Sequence, residues 1–294
     1  MPKTRFAPSP TGFLHRGHLL SALCVFAAAE AFKCKIHLRI EDHDQGRARP
    51  EYIKSIREDL ARFGFKFESE SVQSERTKVY EKFFESLRER GLVYRCACSR
   101  RELAAENPSN EFGEVIYKGK CFFKKPAENL PASSRLRTPT DTIDWEDLRL
   151  GKFSEVPARQ CGDFVLKDRL GFWAYQFAVT VDDFEEGMDL VVRGEDLLHS
   201  TARQILLSRL LGRQEPPRFL HHQLLYAKGG KKLSKREHSQ SLRAELEGGT
   251  SVETLLGSVC FEAGALERCE ALSLERAIEY IKAWLFKDAK WNLK

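Results

Sequence analysis

Strand-like and helix-like segments alternate from the first residues, and this alternation leaves the chain few architectures. Lys3 to Ala7 is short and strand-like, and a turn with two prolines (APSPTG) follows it. Gly17 to Phe32 (GHLLSALCVFAAAEAF) has helical spacing and is rich in Ala and Leu, as expected of a helix laid against a sheet. Lys35 to Ile40 (KIHLRI) alternates like a strand and ends in Glu41-Asp42-His43-Asp44. Pro50 to Phe63 reads as a helix with proline in its first turn, and Thr77 to Arg90 as another. Successive strands joined through helices pair in parallel, so the expected fold is α/β, a parallel sheet with helices on both faces.

The rhythm breaks between about Val93 and Val179. That span holds CAC, a Gly/Asn/Pro-bearing loop, a second cysteine region and a connection with Pro126, Pro131 and Pro139. The α/β pattern resumes at Leu190 (LVVRGEDLL), followed by a helix near Ser200 to Leu211, the strand-like FLHHQLLY and the basic KGGKKLSKRE. The expected organisation is a catalytic α/β half over 1–94, an insertion over 95–179, the second half over 180–238 and a helical region over 239–294.

Of 294 residues, 42% are hydrophobic and 31% charged, which supports a buried core and argues against disorder. Lys and Arg exceed Asp and Glu by 48 to 43, a mild excess that permits a polyanionic partner without demanding one. Met1 to Arg5 runs into APSP rather than an apolar signal segment, and no apolar run nears the roughly 20 residues that cross a bilayer. A cytoplasmic location, no membrane partner and a monomer are the expectations. In a reduced setting, closely spaced members of the eight cysteines are first read as metal ligands.

Two motifs carry chemistry. HRGH stands where a strand gives way to a helix, at the sheet edge where such folds bind ligands. A helix N-terminus there offers free N–H groups to phosphate. His15 and His18 can both donate to phosphate oxygens, and Gly17 lets a flat group approach the backbone. In KKLSKRE, Gly229-Gly230 precedes Lys231, Lys232 and Lys235, whose ammonium groups suit phosphates. Alone, HRGH reads first as a capped helix with two incidental surface histidines, and KKLSKRE as a solvated basic loop.

Together, HxGH and KLSK resemble the paired signatures of class I aminoacyl-tRNA synthetases. RFAPSPTGFLHRGHL, IHLRIEDHD, YQFAVTVDD and LVVRGEDLL resemble, in order, blocks of the glutamyl-tRNA synthetase group. The resemblance covers nearly the whole chain. It implies a Rossmann-type core, ATP as substrate bound by His15, Gly17, His18 and Lys235, and Mg²⁺ on the phosphates. His15, His18, Lys235 and Lys232 are the implied catalytic residues. Within the group, the glutamyl-Q tRNA(Asp) synthetases are most similar. The sequence continues only about 60 residues past KLSK, and no anticodon-binding domain is expected. The implied acceptor is the queuosine base in the anticodon stem-loop of tRNA(Asp). A shortened glutamyl-tRNA synthetase charging the 3′ end shares every one of these motifs. A non-catalytic, zinc-containing RNA-binding relative is the further alternative.

Cys96, Cys98 and Cys121 flank one loop, and three thiolates with a fourth donor suit a closed tetrahedral, structural zinc. From the residues alone the fourth donor is Cys161 or a histidine; the resemblance assigns Tyr117. Cys24, Cys34, Cys161, Cys260 and Cys269 are expected to be packing residues.

L-Glutamate, the implied amino acid, brings two carboxylates and an ammonium. Its side-chain carboxylate suits a guanidinium fork, with Arg5 and Arg193 the candidates, and Glu41 suits the ammonium. Tyr175 and Ser9 are the candidate hydrogen-bonding residues, and the resemblance places glutamate contacts on these same positions. GFWAYQ departs from the group's pattern and is expected to bring Phe172 and Trp173 to the pocket lip.

Overall fold

The computed structural model describes residues 1–44, 46–225 and 241–287. Strand β1 (Lys3–Phe6) leads through the proline turn into α1 (Arg16–Phe32), β2 (Lys35–Ile40) and α2 (Pro50–Arg62). Next come β3 (Ser69–Val72), α3 (Thr77–Glu89), β4 (Val93–Cys96), α4 (Arg100–Glu106) and α5 (Lys120–Lys124). Strands β5 (Ser133–Leu136), β6 (Ile143–Asp147) and β7 (Gly151–Glu155) precede α6 (Pro157–Gln160) and β8 (Val165–Lys167). Helix α7 (Tyr175–Glu185), β9 (Leu190–Gly194), α8 (Thr201–Leu210) and β10 (Arg218–His222) follow. Helices α9 (Leu242–Glu247), α10 (Val252–Glu262) and α11 (Leu274–Leu285) come last.

The main sheet has seven strands in the order β3-β2-β1-β9-β10-β6-β7. Every neighbouring pair is parallel except the β6–β7 hairpin. The order turns around between β1 and β9, so the chain leaves β1 toward one side and β9 toward the other. A crevice opens at the carboxyl ends of strands at such a point. Helix α1 is apolar nearly all round: Leu19, Leu20, Leu23, Val25 and a run of alanines are buried. Such a helix needs cover on every side. The sheet covers one side, and α10 and α11 cover another. Gly257 lets the connection between α10 and α11 lie close on α10, because a Cβ there would lie 1.6 Å from the Glu270 carbonyl oxygen. On the opposite face, Leu87, Phe177 and Leu207 from α3, α7 and α8 form a second core.

The insertion is less separate than its sequence implies. Strands β4, β5 and β8 form an antiparallel sheet of their own, beginning at Val93. Yet β6 and β7, also within 95–179, extend the main sheet. The cause is the period-2 pattern of IDWED, which buries Ile143 and Trp145 against Val191, Ile205 and Phe219. Helix α7 also runs across residue 179.

Candidate active site

His15 is the N-cap of α1, and its Nδ1 accepts a hydrogen bond from the Gly17 amide at 3.1 Å. His18 answers as the third helical residue, its Nδ1 accepting from the His15 amide at 3.1 Å. This reciprocal cap occupies both Nδ1 atoms as acceptors, so a neutral ring carries its proton on Nε2. The rings lie 3.9 Å apart between centroids. Gly17 serves the cap as well as the cavity, since a Cβ would come within 3.0 Å of the His15 ring. Arg16 turns away: its Nε donates to Glu245 of α9 at 3.0 Å, which ties the motif to the C-terminal helices.

A cavity of about 610 Å³ opens above this turn. Arg5, Ser9, His15, Gly17, His18, Glu41, Tyr175 and Arg193 all line it. Lys232 and Lys235 lie outside the described residues. Topology explains the gathering: Arg5 is the penultimate residue of β1, Glu41 follows β2 and Arg193 is the penultimate residue of β9, three neighbouring strands whose carboxyl ends face one way. Phe172 and Trp173 do not reach the cavity. Trp173 is buried among Tyr80, Phe84 and Phe177, because its ring completes the core between α3 and α7.

The cations of the cavity differ in their partners. Arg193 is 5% exposed, and the groups its nitrogens donate to are all neutral, although Arg5, Asp183 and Glu41 stand near enough to act on it electrostatically. Its Nη1 donates to Gln204 at 2.6 Å, its Nη2 to Thr201 at 2.8 Å and its Nε to His221 Nε2 at 3.0 Å. Burial lowers His221 to about 4, and Asp147 accepts from its Nδ1 at 2.7 Å, so the neutral ring presents Nε2 as an acceptor. No carboxylate lies within 4 Å of the Arg193 guanidinium among the described residues. Arg5, by contrast, is paired with buried Asp183, Nε to Oδ1 at 2.9 Å. Arg39, fully buried, holds the same Asp183 at 2.8 Å and Glu186 beyond it. Two guanidinium groups pull the Asp183 carboxyl below its ordinary range despite burial.

Glu41 is the counterpart. It is 4% exposed, its Oε1 has no hydrogen-bond partner among the described residues, and Arg39 stands 3.7 Å away. Burial outweighs the nearby arginines and raises its pKa to about 7. Burial also raises the Tyr175 phenol, which stays neutral. Asp183, Arg39, Asp147 and His221 escape a motif-based reading. The alternation of β2 does hint at one of them, since His37, Arg39 and Glu41 share a face.

The cysteine cluster stands apart. The sulfurs of Cys96, Cys98 and Cys121 all lie within 4.8 Å of one another, near enough for one metal ion. The Tyr117 hydroxyl is 3.7 Å from Cys98 Sγ and accepts from the Cys121 amide at 2.8 Å. Three soft thiols and a phenol fit a closed zinc site. Cys161 is not among them: its thiol donates to the Pro157 carbonyl at 3.2 Å. Gly162 seats the Tyr117 strand, having φ +62° and no room for a Cβ, which would fall 2.3 Å from the Tyr117 carbonyl oxygen. Cys24, Cys161 and Cys260 are buried packing residues and Cys34 is partly buried against the main core, whereas Cys269 is exposed on the segment before α11.

Residues 2–260 match the family of class I tRNA synthetases (E and Q), catalytic domain. A protein of Geobacter sulfurreducens named glutamyl-Q tRNA(Asp) synthetase is 41% identical over 244 residues, 82% of this chain and 77% of that protein. One of the same name from Janthinobacterium sp. is 40% identical over 245 residues, 81% of this chain and 83% of its own. Among solved structures, a glutamate tRNA ligase from Elizabethkingia meningosepticum in complex with its amino acid superposes with a TM-score of 0.77 at 27% identity. That match covers 96% of this chain, which spans 65% of the ligase's length.

Proposed function

We propose a two-step glutamyl transfer for this chain, which belongs to the class I tRNA synthetases of the E and Q group. L-Glutamate first attacks the α-phosphate of ATP through its α-carboxylate, giving glutamyl-adenylate and pyrophosphate, without any requirement for tRNA. A hydroxyl of the queuosine base in the anticodon of tRNA(Asp) then attacks the acyl carbon, forming an ester and releasing AMP. The observation that carries this reading is one cavity holding charge anchors of opposite sign: Arg193, a buried guanidinium among neutral partners, and Glu41, a buried carboxylate with an unsatisfied oxygen.

Burying a cation that no carboxylate contacts directly is costly, and a ligand carboxylate lowers that cost. Arg193 therefore takes the side-chain carboxylate, assisted by Arg5 on its far side. Glutamine would leave the guanidinium without its counter-charge, so it is rejected. Glu41 takes the substrate ammonium, and Tyr175 and Ser9 fix the backbone by hydrogen bonds. At the first turn of α1, the Nε2–H groups of His15 and His18 hold phosphate oxygens as charge develops. Lys235 and Lys232 neutralise the leaving pyrophosphate. Mg²⁺, when bound, neutralises the phosphate oxygens. No protein nucleophile is needed; orientation and charge stabilisation lower the barrier. A zinc ion on Cys96, Cys98, Cys121 and Tyr117 would cross-link the insertion and leave no open position for catalysis.

Two assays test the reading. Glutamate-dependent ATP–pyrophosphate exchange should proceed without tRNA, and its absence overturns activation. Labelled glutamate should then load onto an anticodon stem-loop RNA that carries queuosine and has no acceptor arm. Loading of only the 3′ end of an intact tRNA would assign the chain to 3′ charging instead.

A further inference from the structure

A second depression of about 330 Å³ lies beside the catalytic cavity, between the antiparallel sheet and helices α7 and α8. Tyr175 lines both. We propose that this crevice seats the unstacked acceptor nucleoside of an RNA loop, with Phe112 beside it as the stacking platform for a neighbouring base. The inference rests on the two-step reading above and adds the place where the acceptor enters.

The lining has the composition that a flat heterocycle requires. Val115, Phe164 and Ala174 supply apolar surface, while Glu114, Gln176 and Arg203 supply hydrogen-bonding edges. Arg203 and Arg135 are 4% and 8% exposed, and the Nε of each has no hydrogen-bond partner among the described residues. A buried N–H without an acceptor is costly, and a base edge or phosphate oxygen that reaches either guanidinium would recover that cost.

Phe112 is the second, independent sign. It is 58% exposed. One face of its ring stacks on His199 at 4.4 Å and 19°. Its loop is held still: the Asn110 side-chain oxygen accepts from the Phe112 amide at 3.0 Å and the Glu114 amide at 2.9 Å. Glu114 in turn pairs with Arg203 on the crevice wall. An exposed, pre-oriented ring next to a polar-edged slot is how single-stranded bases are gripped.

A hydrogen-bond chain joins the crevice to the amino-acid anchor. Gln176 Oε1 accepts from Gln204 at 2.8 Å, and Gln204 Oε1 accepts from Arg193 at 2.6 Å. A nucleoside touching Gln176 therefore meets the same chain that fixes the guanidinium holding glutamate. This continuity selects an acceptor rather than a protein segment as the occupant.

The test uses the full chain with Phe112→Ala, which alters an exposed loop residue, and Val115→Trp, which fills the crevice. Base–aromatic stacking of about 1–3 kcal/mol predicts a roughly 5- to 150-fold fall in transfer to queuosine-bearing stem-loop for F112A, expressed mainly in KM for the RNA. V115W should abolish transfer. Pyrophosphate exchange with glutamate should stay within about twofold of the parent for both variants. Transfer at the parental rate in both variants overturns the crevice assignment while leaving the two-step reading intact. Equal loss of exchange and transfer also overturns it, since the effect would then lie on activation. A parent protein that exchanges pyrophosphate but never loads the stem-loop overturns both proposals.

Discussion

The catalytic edge and the cysteine cluster are organised by different forces. Around the catalytic edge, charged groups are buried within a large apolar core: Arg5, Arg39, Glu41 and Arg193 sit at or near strand ends beside Leu20, Leu38, Ile40 and Val192, and Asp183 meets them from α7. Folding of the sheet with α7 packed on it brings them together, and paired arginines and carboxylates offset one another's desolvation. The cysteine cluster has almost no core of its own. Cys96, Tyr117 and Cys121 are its only buried apolar members among the described residues, with Tyr94, Cys98 and Leu103 partly covering them. So small a core falls short of fixing loops by burial, and a metal is the usual remedy. The lesson is that amino-acid activation should depend on the sheet and be nearly indifferent to the cluster.

The strongest attempt to break this contrast is Arg193→Ala. Removing a buried charge partner at about 3–5 kcal/mol should lower glutamate-dependent exchange by about 10³-fold, with the circular dichroism spectrum preserved. A loss below tenfold would remove Arg193 from the site. Asp183→Asn comes next. It leaves Arg5 and Arg39 facing each other without their shared anion, so KM for glutamate should rise roughly 10- to 100-fold with kcat less affected. An effect on thermal stability with KM unchanged would make Asp183 merely structural.

Protonation probes the same network more gently. The Glu41 pKa is raised from 4.5 to about 7, so the unliganded fold binds the proton more tightly than the unfolded chain does. This group's contribution to stability is thus fully present below about 4.5 and is lost as pH rises through about 7. Binding an ammonium requires the ionised form. Affinity for glutamate should therefore improve up to roughly tenfold per pH unit as pH approaches about 7 from below, then level off. Glu41→Gln should weaken binding and flatten this profile; an unchanged profile would assign the titration to another group.

Gly17→Ala sharpens the picture of the first turn. Its Cβ would press on the His15 ring at 3.0 Å and loosen the cap. About 1 kcal/mol, a roughly fivefold loss of exchange, is expected, measured as kcat with KM for glutamate unchanged. The smallest effect on activation should come from Cys121→Ser. Metal analysis of the parent should find about one zinc per chain, and this variant should lose it and soften the insertion. Exchange should change less than about twofold. A metal-free parent with its insertion folded would sink the zinc assignment, and a collapse of exchange in C121S would erase the contrast between the two regions.

Much of the site was legible because it is punctuated by strand ends. Arg5, Glu41 and Arg193 each stand at or next to the carboxyl end of a short strand-like run, and parallel topology puts such ends on one edge. Charge partners were not legible. Asp183 lies within α7 and meets Arg5 across 178 positions, and Asp147 reaches His221 across 74. Nothing local marks which helix turn will face a given strand. The same reason hid the hairpin of β6 and β7: its alternation shows two half-buried strands, not the sheet they join. Trp173 failed differently, since an aromatic residue near a pocket motif can point into either the cavity or the core behind it.

By itself, then, the sequence determined the alternation of elements, the helix start at His15, the cysteine spacing and the strand-end charges, all consequences of local periodicity and capping. Tertiary structure alone decided that Arg193 donates to neutral groups while Arg5 is paired, that Glu41 holds an oxygen without a hydrogen-bond partner among the described residues, and that a crevice adjoins the cavity at Tyr175. Those properties depend on desolvation and on contacts between residues far apart in the chain, and both exist only once the sheet has closed around them.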